Sequence, residues 1–299
     1  MAGSRPQTRL TEISVALRRT LADLGLSEDK LQRIDKGGTS HVWLHDAADG
    51  PSTILKASSV DRGTPLFPND PQAEWEAMKR LSSKALSPFP LSIRALEGGT
   101  TLLVSQYLRP EGPVTTEALA EVLRRVHKTP GWAGLARRSH DTQELRAQGV
   151  SMLSKSSAPA WLMNLAPKAV AETLTSPLVL VHRDLVPANA AMLATGAAVA
   201  LDWQCPALGD PCEDIAHATS PGMQSLSDTP VVIKDTDLLR AYGDAEVSRA
   251  YIRRAPFYRW RMACYCQWQL DRGQLDYATA LDRECTALEE ARERADRTC

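Results

Sequence analysis

Residues 181–189 read VHRDLVPAN, and they are followed by VALDW at 199–203 and GDPCEDIA at 209–216. This order constrains the chain more than any other feature, because it sets Asp184, Asn189 and Asp202 in the sequence that a kinase-type phosphoryl-transfer site requires. One carboxylate must accept the proton of a substrate hydroxyl, while an amide oxygen and a second carboxylate hold magnesium against nucleotide phosphates. Either fragment alone is an unremarkable tripeptide or strand end. Together, in this order, they point to an enzyme that phosphorylates something.

The flanking residues support that chemistry. Residues 178–181 form a short apolar run ending in His182-Arg183-Asp184, and residues 197–201 form another ending at Asp202. Bounded apolar runs of this length read as buried strands, so both aspartates are expected at strand ends facing one cleft. Pro187 interrupts helix and favours a loop that turns Asn189 back toward a metal.

Upstream, residues 35–43 read DKGGTSHVW. Gly37, Gly38, Thr39 and Ser40 lie between candidate strands in a turn whose backbone amides can approach phosphates, although paired glycines also occur in ordinary hairpins. Residues 53–57, TILKA, then place Lys56 among apolar neighbours, where an ammonium is costly to bury unless it meets an anion. The helical stretch 73–85 offers Glu74 and Glu76 as partners for it. Glu74 is the better candidate because it lies about two turns before Leu81, near the apolar stripe, whereas Glu76 reads as part of a solvated face.

With LLVSQYL at 102–108 and LAEVLRRVH at 119–127, these motifs resemble the aminoglycoside phosphotransferase and choline kinase superfamily over residues 31–218. The resemblance implies an α+β, bilobal protein-kinase-like fold, with a small β-rich N-terminal lobe (1–108, including an N-terminal helix) and a larger, mainly helical C-terminal lobe (109–299). It also implies ATP and magnesium as cofactors. Carried over residue by residue, Lys56 contacts the phosphates with Glu74 as its orienting partner, and the backbone around Ser105 to Tyr107 receives adenine. Asp184 is the catalytic base, and Asn189 with Asp202 binds the metal. His182, Asp210 and Asp214 support the catalytic loop. Arg183 departs from the family by replacing the small residue usual between the histidine and aspartate, and Ala188 and Trp203 are further departures. They leave the reacting groups intact but alter the substrate-side wall. A protein kinase is disfavoured, since too little chain separates Asp202 from GDPCEDIA for an activation loop and its Ala-Pro-Glu motif.

The acceptor is expected to be set by the last third of the chain. Phe257, Tyr258, Trp260, Tyr265 and Trp268 crowd one helical segment of a chain that is only 5% aromatic. A core stripe is the simpler reading, because Phe257, Trp260, Cys264 and Trp268 recur every three or four residues. A cation–π cage for a quaternary ammonium, with Trp260, Tyr265 and Trp268 as its walls, is the alternative. Arg253, Arg254, Arg259 and Arg261 weigh against a cage unless they point outward, while Asp235, Asp237, Asp244 and Glu246 are candidate amine receivers. The acceptor is therefore expected to be a small hydroxyl compound: an amino alcohol such as choline or ethanolamine first, an aminoglycoside second. A non-catalytic kinase-fold binding protein is the reading of another class, and retention of Lys56, Asp184, Asn189 and Asp202 argues against it.

The remaining expectations are simpler. A net charge of -1 gives no reason to expect nucleic acid or an anionic membrane as partner. The chain shows neither a signal peptide nor a run long enough to span a bilayer, so a cytoplasmic location is expected. Six cysteines without a Cys-x-x-Cys pair read as free thiols. Helices are expected over 10–24, from Thr115 or Thr116 to His127, over 135–153 and over 164–174, with a break at 109–113, a Pro/Asp/Asn-rich loop at 64–71 and an exposed loop at 220–232. His127 follows an apolar face and reads as a structural side chain.

Overall fold

The computed structural model describes residues 15–34, 40–47, 50–138, 141–155, 157, 160–168, 178–227 and 231–298. The N-terminal part is built on helix α1 (Val15–Asp23) and the strands β1 (Leu31–Arg33), β2 (Ser40–His45) and β3 (Thr53–Ser58). Helix α2 (Pro71–Leu81) then precedes β4 (Pro90–Ala95) and β5 (Thr101–Gln106). The five strands form one antiparallel sheet in the order β1-β2-β3-β5-β4. Alternation places Leu55 and Ala57 of β3 and Leu102 and Val104 of β5 on the face that packs Leu17 and Leu21 of α1, as a pleated, half-covered sheet requires.

The C-terminal part is mainly helical. Its elements in order are α3 (Thr116–Lys128), β6 (Ala136–Arg137), α4 (Thr142–Leu153), α5 (Ala160–Asn164), β7 (Val179–Val181), β8 (Ala190–Met192), β9 (Ala198–Ala200) and β10 (Ala207–Gly209). Then follow α6 (Pro211–Ala218), α7 (Pro221–Ser225), α8 (Asp235–Tyr242), α9 (Ala245–Leu270) and α10 (Tyr277–Thr298). β8 and β9 form a hairpin, while β10 lies between β6 and β7, parallel to the first and antiparallel to the second. The architecture is the α+β arrangement expected from the sequence.

Capping sets several helix starts. Asp70 accepts from the amides of Gln72 and Ala73, with Pro71 following at the first helical position of α2. Thr115 accepts from Ala118 N to start α3 as expected. Elsewhere the structure differs from the sequence reading. In place of a helix over 135–153, the chain first adds β6 to β10, with Arg138 N donating to the Leu208 carbonyl, and the helix begins only after Asp141 caps it. The helix expected over 164–174 is displaced: α5 ends at Asn164, residues 165–168 are not helical, and 169–174 lie outside the described residues. Pro167, which lacks the amide hydrogen a helix needs, stands in that non-helical stretch.

The stretch 220–232 is not simply an exposed loop. Ser220 and Gly222 donate from Oγ and N to the buried Glu284 carboxylate, and Gly222 packs so close to the Ala280 carbonyl that a Cβ would sit 2.8 Å from it. The segment 64–70 also does more than connect. Leu66 and Phe67 are buried in the C-terminal core with Met152, Tyr265 and Leu281, and Asp70 N donates to the Gln204 carbonyl. This strap ties the sheet region to the helices directly over the catalytic loop. Among the described residues, no helix is long and apolar enough to cross a membrane.

Candidate active site

β7 delivers His182, Arg183 and Asp184 to the centre of the molecule. The amides of His182 and Arg183 donate to the two Asp214 oxygens at 2.8 and 2.6 Å. That clamp holds Arg183 at φ +69°, a left-handed conformation that costs a side-chain-bearing residue about 1–2 kcal/mol. Burial alone would raise the Asp214 pKa, but the bond and charge of His127 outweigh it and hold the carboxyl below its usual range. His127, bonded also to the Tyr242 hydroxyl at 2.9 Å, is the structural side chain its position suggested.

The His182 ring accepts from Asp184 N at Nδ1 (3.3 Å) and donates from Nε2 to the Leu201 carbonyl (2.8 Å). These partners need one donor and one acceptor, which is the neutral tautomer. Burial favours the same state by lowering its pKa, against the pull of Asp214. Asp184 is itself buried, and its Oδ2 accepts from Gln204 Nε2 at 3.2 Å. Burial, then the charge of Asp202, push its pKa well above the ordinary carboxylate value.

Asn189 ends the Pro187 turn and donates from Nδ2 to the Asp184 carbonyl at 2.7 Å, which leaves its side-chain oxygen as the group available to a ligand. Its backbone carbonyl accepts from Leu201 N at 2.8 Å, coupling the turn to Asp202, which is held at φ +61°. Lys56, in the centre of β3, donates to Glu74 Oε2 at 2.7 Å and to Asp202 Oδ1. Burial would lower the Lys56 pKa, but the charges of Asp202 and Glu74 more than reverse it, so the ammonium is firmly protonated. Burial, offset in part by Lys56, raises the pKa of Glu74. Glu76 instead meets Lys79 and Arg80 on the surface, the solvated role read for it.

The donor set suits a hard divalent cation that keeps part of its shell for water and phosphate: one carboxylate, Asp202, and one amide oxygen, Asn189. Among the described residues, no cluster of three or more His, Cys, Asp or Glu side chains could hold a metal without a ligand's help. Ser40 starts β2 with a buried Oγ that has no hydrogen-bond partner, while Gly37, Gly38 and Thr39 lie outside the described residues.

Other expected residues take different places. Among the described residues the Asp210 side chain bonds away from the 182–189 loop: it caps α6 through Cys212 N and takes Arg254 at 2.8 Å and the Tyr258 hydroxyl at 3.0 Å, fixing α6 to α9. At the edge by Ser105 and Tyr107, the amides of Gln106 and Tyr107 are already donated to Phe89 and Ser52, so a base docking there would meet carbonyls and the Leu108 amide. Trp260 is fully buried, with its indole N–H on the Leu162 carbonyl, and cannot wall an open cage. Tyr265 stacks on Trp268 at 6.0 Å and meets Tyr277 edge-on at 5.9 Å, but the Trp268 ring is already covered by the Arg272 guanidinium at 3.6 Å. Arg254, Arg259 and Arg261 point inward, each against buried carboxylates or hydroxyls, so the aromatic segment is chiefly core. Asp235 is likewise taken by Arg294.

The sequence matches the phosphotransferase enzyme family over residues 30–258. The chain belongs to that family. It is a small-molecule phosphotransferase with a kinase-like fold, and Lys56, Glu74, Asp184, Asn189, Asp202 and GDPCEDIA fall inside the matched range, while Trp260, Tyr265 and Trp268 lie beyond it. No curated protein matches it by sequence. Among solved structures it is similar to the choline kinase LicA from Streptococcus pneumoniae, with a TM-score of 0.61 at 14% identity, covering 92% of this chain and 98% of that one. It is similar to aminoglycoside phosphotransferase APH(4)-Ia in ternary complex with AMP-PNP and hygromycin B, with a TM-score of 0.63 at 17% identity over 92% and 98% of the two chains. The ethanolamine kinase of Plasmodium vivax gives 0.63 at 12% identity, over 93% and 90%. At such identities the likeness is one of fold.

Gln204 was not singled out in the sequence, though it stands two residues after Asp202. Nothing local marks a glutamine whose partner is the carboxylate across the cleft.

Proposed function

We propose that the protein transfers the γ-phosphoryl group of ATP, with magnesium, to a hydroxyl of a small molecule. The observation that carries the reading is the convergence of five groups: Lys56 between Glu74 and Asp202, and Asp184 beside Asn189. In this arrangement Lys56 neutralises charge on the phosphates while Glu74 holds it in place. An incoming phosphate competes with Asp202 for the ammonium, and Asp202 with the Asn189 side-chain oxygen would hold the metal. Bound magnesium would supply charge neutralisation along the phosphate chain. Asp184 takes the acceptor's proton as its oxygen attacks the γ-phosphorus and the bond to the leaving ADP oxygen breaks.

An amino alcohol such as choline or ethanolamine remains the first candidate acceptor. Tyr265, Trp268 and Tyr277 support it, because they form one aromatic cluster, with Tyr265 stacked on Trp268 and edge-on to Tyr277. The guanidinium on Trp268 shows that the ring face accepts a cation. An aminoglycoside is the alternative. Asp184→Asn tests the mechanism: Mg-ATP affinity should stay near the parent's, while ADP release with an accepted alcohol falls by about 10²- to 10⁴-fold. Turnover close to the parent's would remove Asp184 from the mechanism, and a screen of choline, ethanolamine and aminoglycosides identifies the alcohol to use.

A further inference from the structure

Between α2, the segment 132–138 and the stretch 204–206 lies an open cavity of about 550 Å³ that Gln204 and Arg183 line. Its size is that of a small-molecule site. Arg80, Arg138 and Arg183 line it together with Trp132 and Gln204, and Arg80 lies over the Trp132 ring at 5.5 Å. Asp184, Lys56 and Asp202 do not line it.

Several polar groups at this cavity lack hydrogen-bond partners. The Nε donors of Arg138 and Arg183 are buried without a hydrogen bond, although Glu213 lies 3.6 Å from the second, and the Gln204 Oε1 acceptor has no donor. The Arg138 guanidinium makes no ion pair or hydrogen bond among the described residues. Burial and the like charge of Arg183 lower its pKa. Glu213 cannot neutralise the group alone, being shared by Arg183 at 3.6 Å and Arg261 at 3.0 Å. The two carboxylates that line the cavity are engaged elsewhere: Asp70 caps α2, and Glu76 takes Lys79 and Arg80. Buried donors without acceptors are uncommon, and each costs on the order of 1–3 kcal/mol.

We propose that this cavity binds the oxyanion of a small molecule, a phosphate or carboxylate group held between Arg138 and Arg183, at a site separate from the Lys56–Asp202 pair. Guanidinium donors match such oxygens in pairs, and Trp132 offers an apolar face to the rest of the ligand. Because Arg183 sits in the catalytic loop and Gln204 donates to Asp184, occupancy is coupled to the base. A ligand that draws Gln204 toward itself weakens its bond to the Asp184 carboxylate.

The test is calorimetric titration of the full chain with inorganic phosphate, and separately with succinate, after saturation with AMP-PNP and magnesium. Binding of one anion should persist with the nucleotide present and weaken at least tenfold in Arg138→Gln, while AMP-PNP affinity in that variant is unchanged. The preferred anion distinguishes phosphate from carboxylate. Absence of binding by either anion, or equal affinity in parent and Arg138→Gln, overturns the proposal. If AMP-PNP itself fails to bind, the nucleotide reading fails on its own. The same titrations on Lys56→Met then decide the cavity, because an anion held at Lys56 is lost there and one held at Arg138 is kept.

Discussion

Lys56 bridges two carboxylates of unequal exposure: the Glu74 side chain is 4% exposed and that of Asp202 33%. Removing the ammonium therefore strands Glu74 far more than Asp202, and breaking a buried pair from one side costs about 3–5 kcal/mol. Lys56→Met should lower unfolding stability in urea by roughly that amount, and adding Glu74→Gln should restore most of it. Strict additivity of the two losses would show that the pair is not coupled. The proposed metal ligand behaves differently. Asp202→Ala should abolish magnesium-dependent nucleotide binding while leaving the fold intact, and unchanged Mg-ATP affinity by calorimetry would contradict its assignment. Asp184, Asp202 and Lys56 were legible in the sequence because each ends or centres a short apolar run, and Asn189 because it follows the Pro187 turn five residues after Asp184, so local pattern states where each side chain emerges. Gln204 and Arg138 were not, since their roles depend on charges brought from other parts of the chain.

At the scale of elements, α9 is the structural axis of the helical part, and α4 meets it at one tight point. A Cβ added to Gly149 would lie 2.4 Å from the Trp260 ring. Gly149→Ala should accordingly destabilise the protein by about 1–3 kcal/mol despite the helix propensity it gains. An unchanged or raised melting temperature would mean that the ring moves aside freely. Trp260→Leu should lower the melting temperature and reduce activity toward every acceptor alike, because the indole is a core side chain bonded to Leu162. A selective rise in the Michaelis constant for a quaternary amine would return Trp260 to the acceptor site. The spacing of the aromatic residues was visible in the sequence, but spacing is the same for a stripe packed on a neighbouring helix and one facing a ligand. The helix expected over 135–153 went astray for a related reason: residues 136–137 add to a strand more than sixty positions later in the chain, a pairing that no local period reveals.

The whole molecule is held together at the strap and the arginine–carboxylate network beneath it, and its acid response follows from two members of that network. Burial, with the charge of Arg261, lowers the His217 pKa from 6.5 to about 4, so the fold keeps the ring neutral. The unfolded chain binds that proton first, and stability falls as pH drops from 6.5 toward 4. Burial would raise the Glu213 pKa, but Arg183 and Arg261 overcome it and bring it from 4.5 to about 2. Its contribution is therefore full above 4.5 and is lost between 4.5 and 2. Urea midpoints measured against pH should decline over both windows. Glu213→Gln should be less stable near neutrality and should lose the Glu213 part of the lower window, while the His217 decline extends further toward acid because the carboxylate that raised its pKa is gone; a curve merely offset from the parent's would refute this. The class of fold and the reacting groups could be read from one dimension, because strand-end motifs and hydrophobic period are local properties of a chain. The strap over the catalytic loop, the inward turn of Arg254, Arg259 and Arg261, and the arginine-lined cavity could not. A period reports that a side chain is buried, whereas which charge or ring it meets is settled only when distant segments pack, and there the cost of an unpaired buried charge selects the partner.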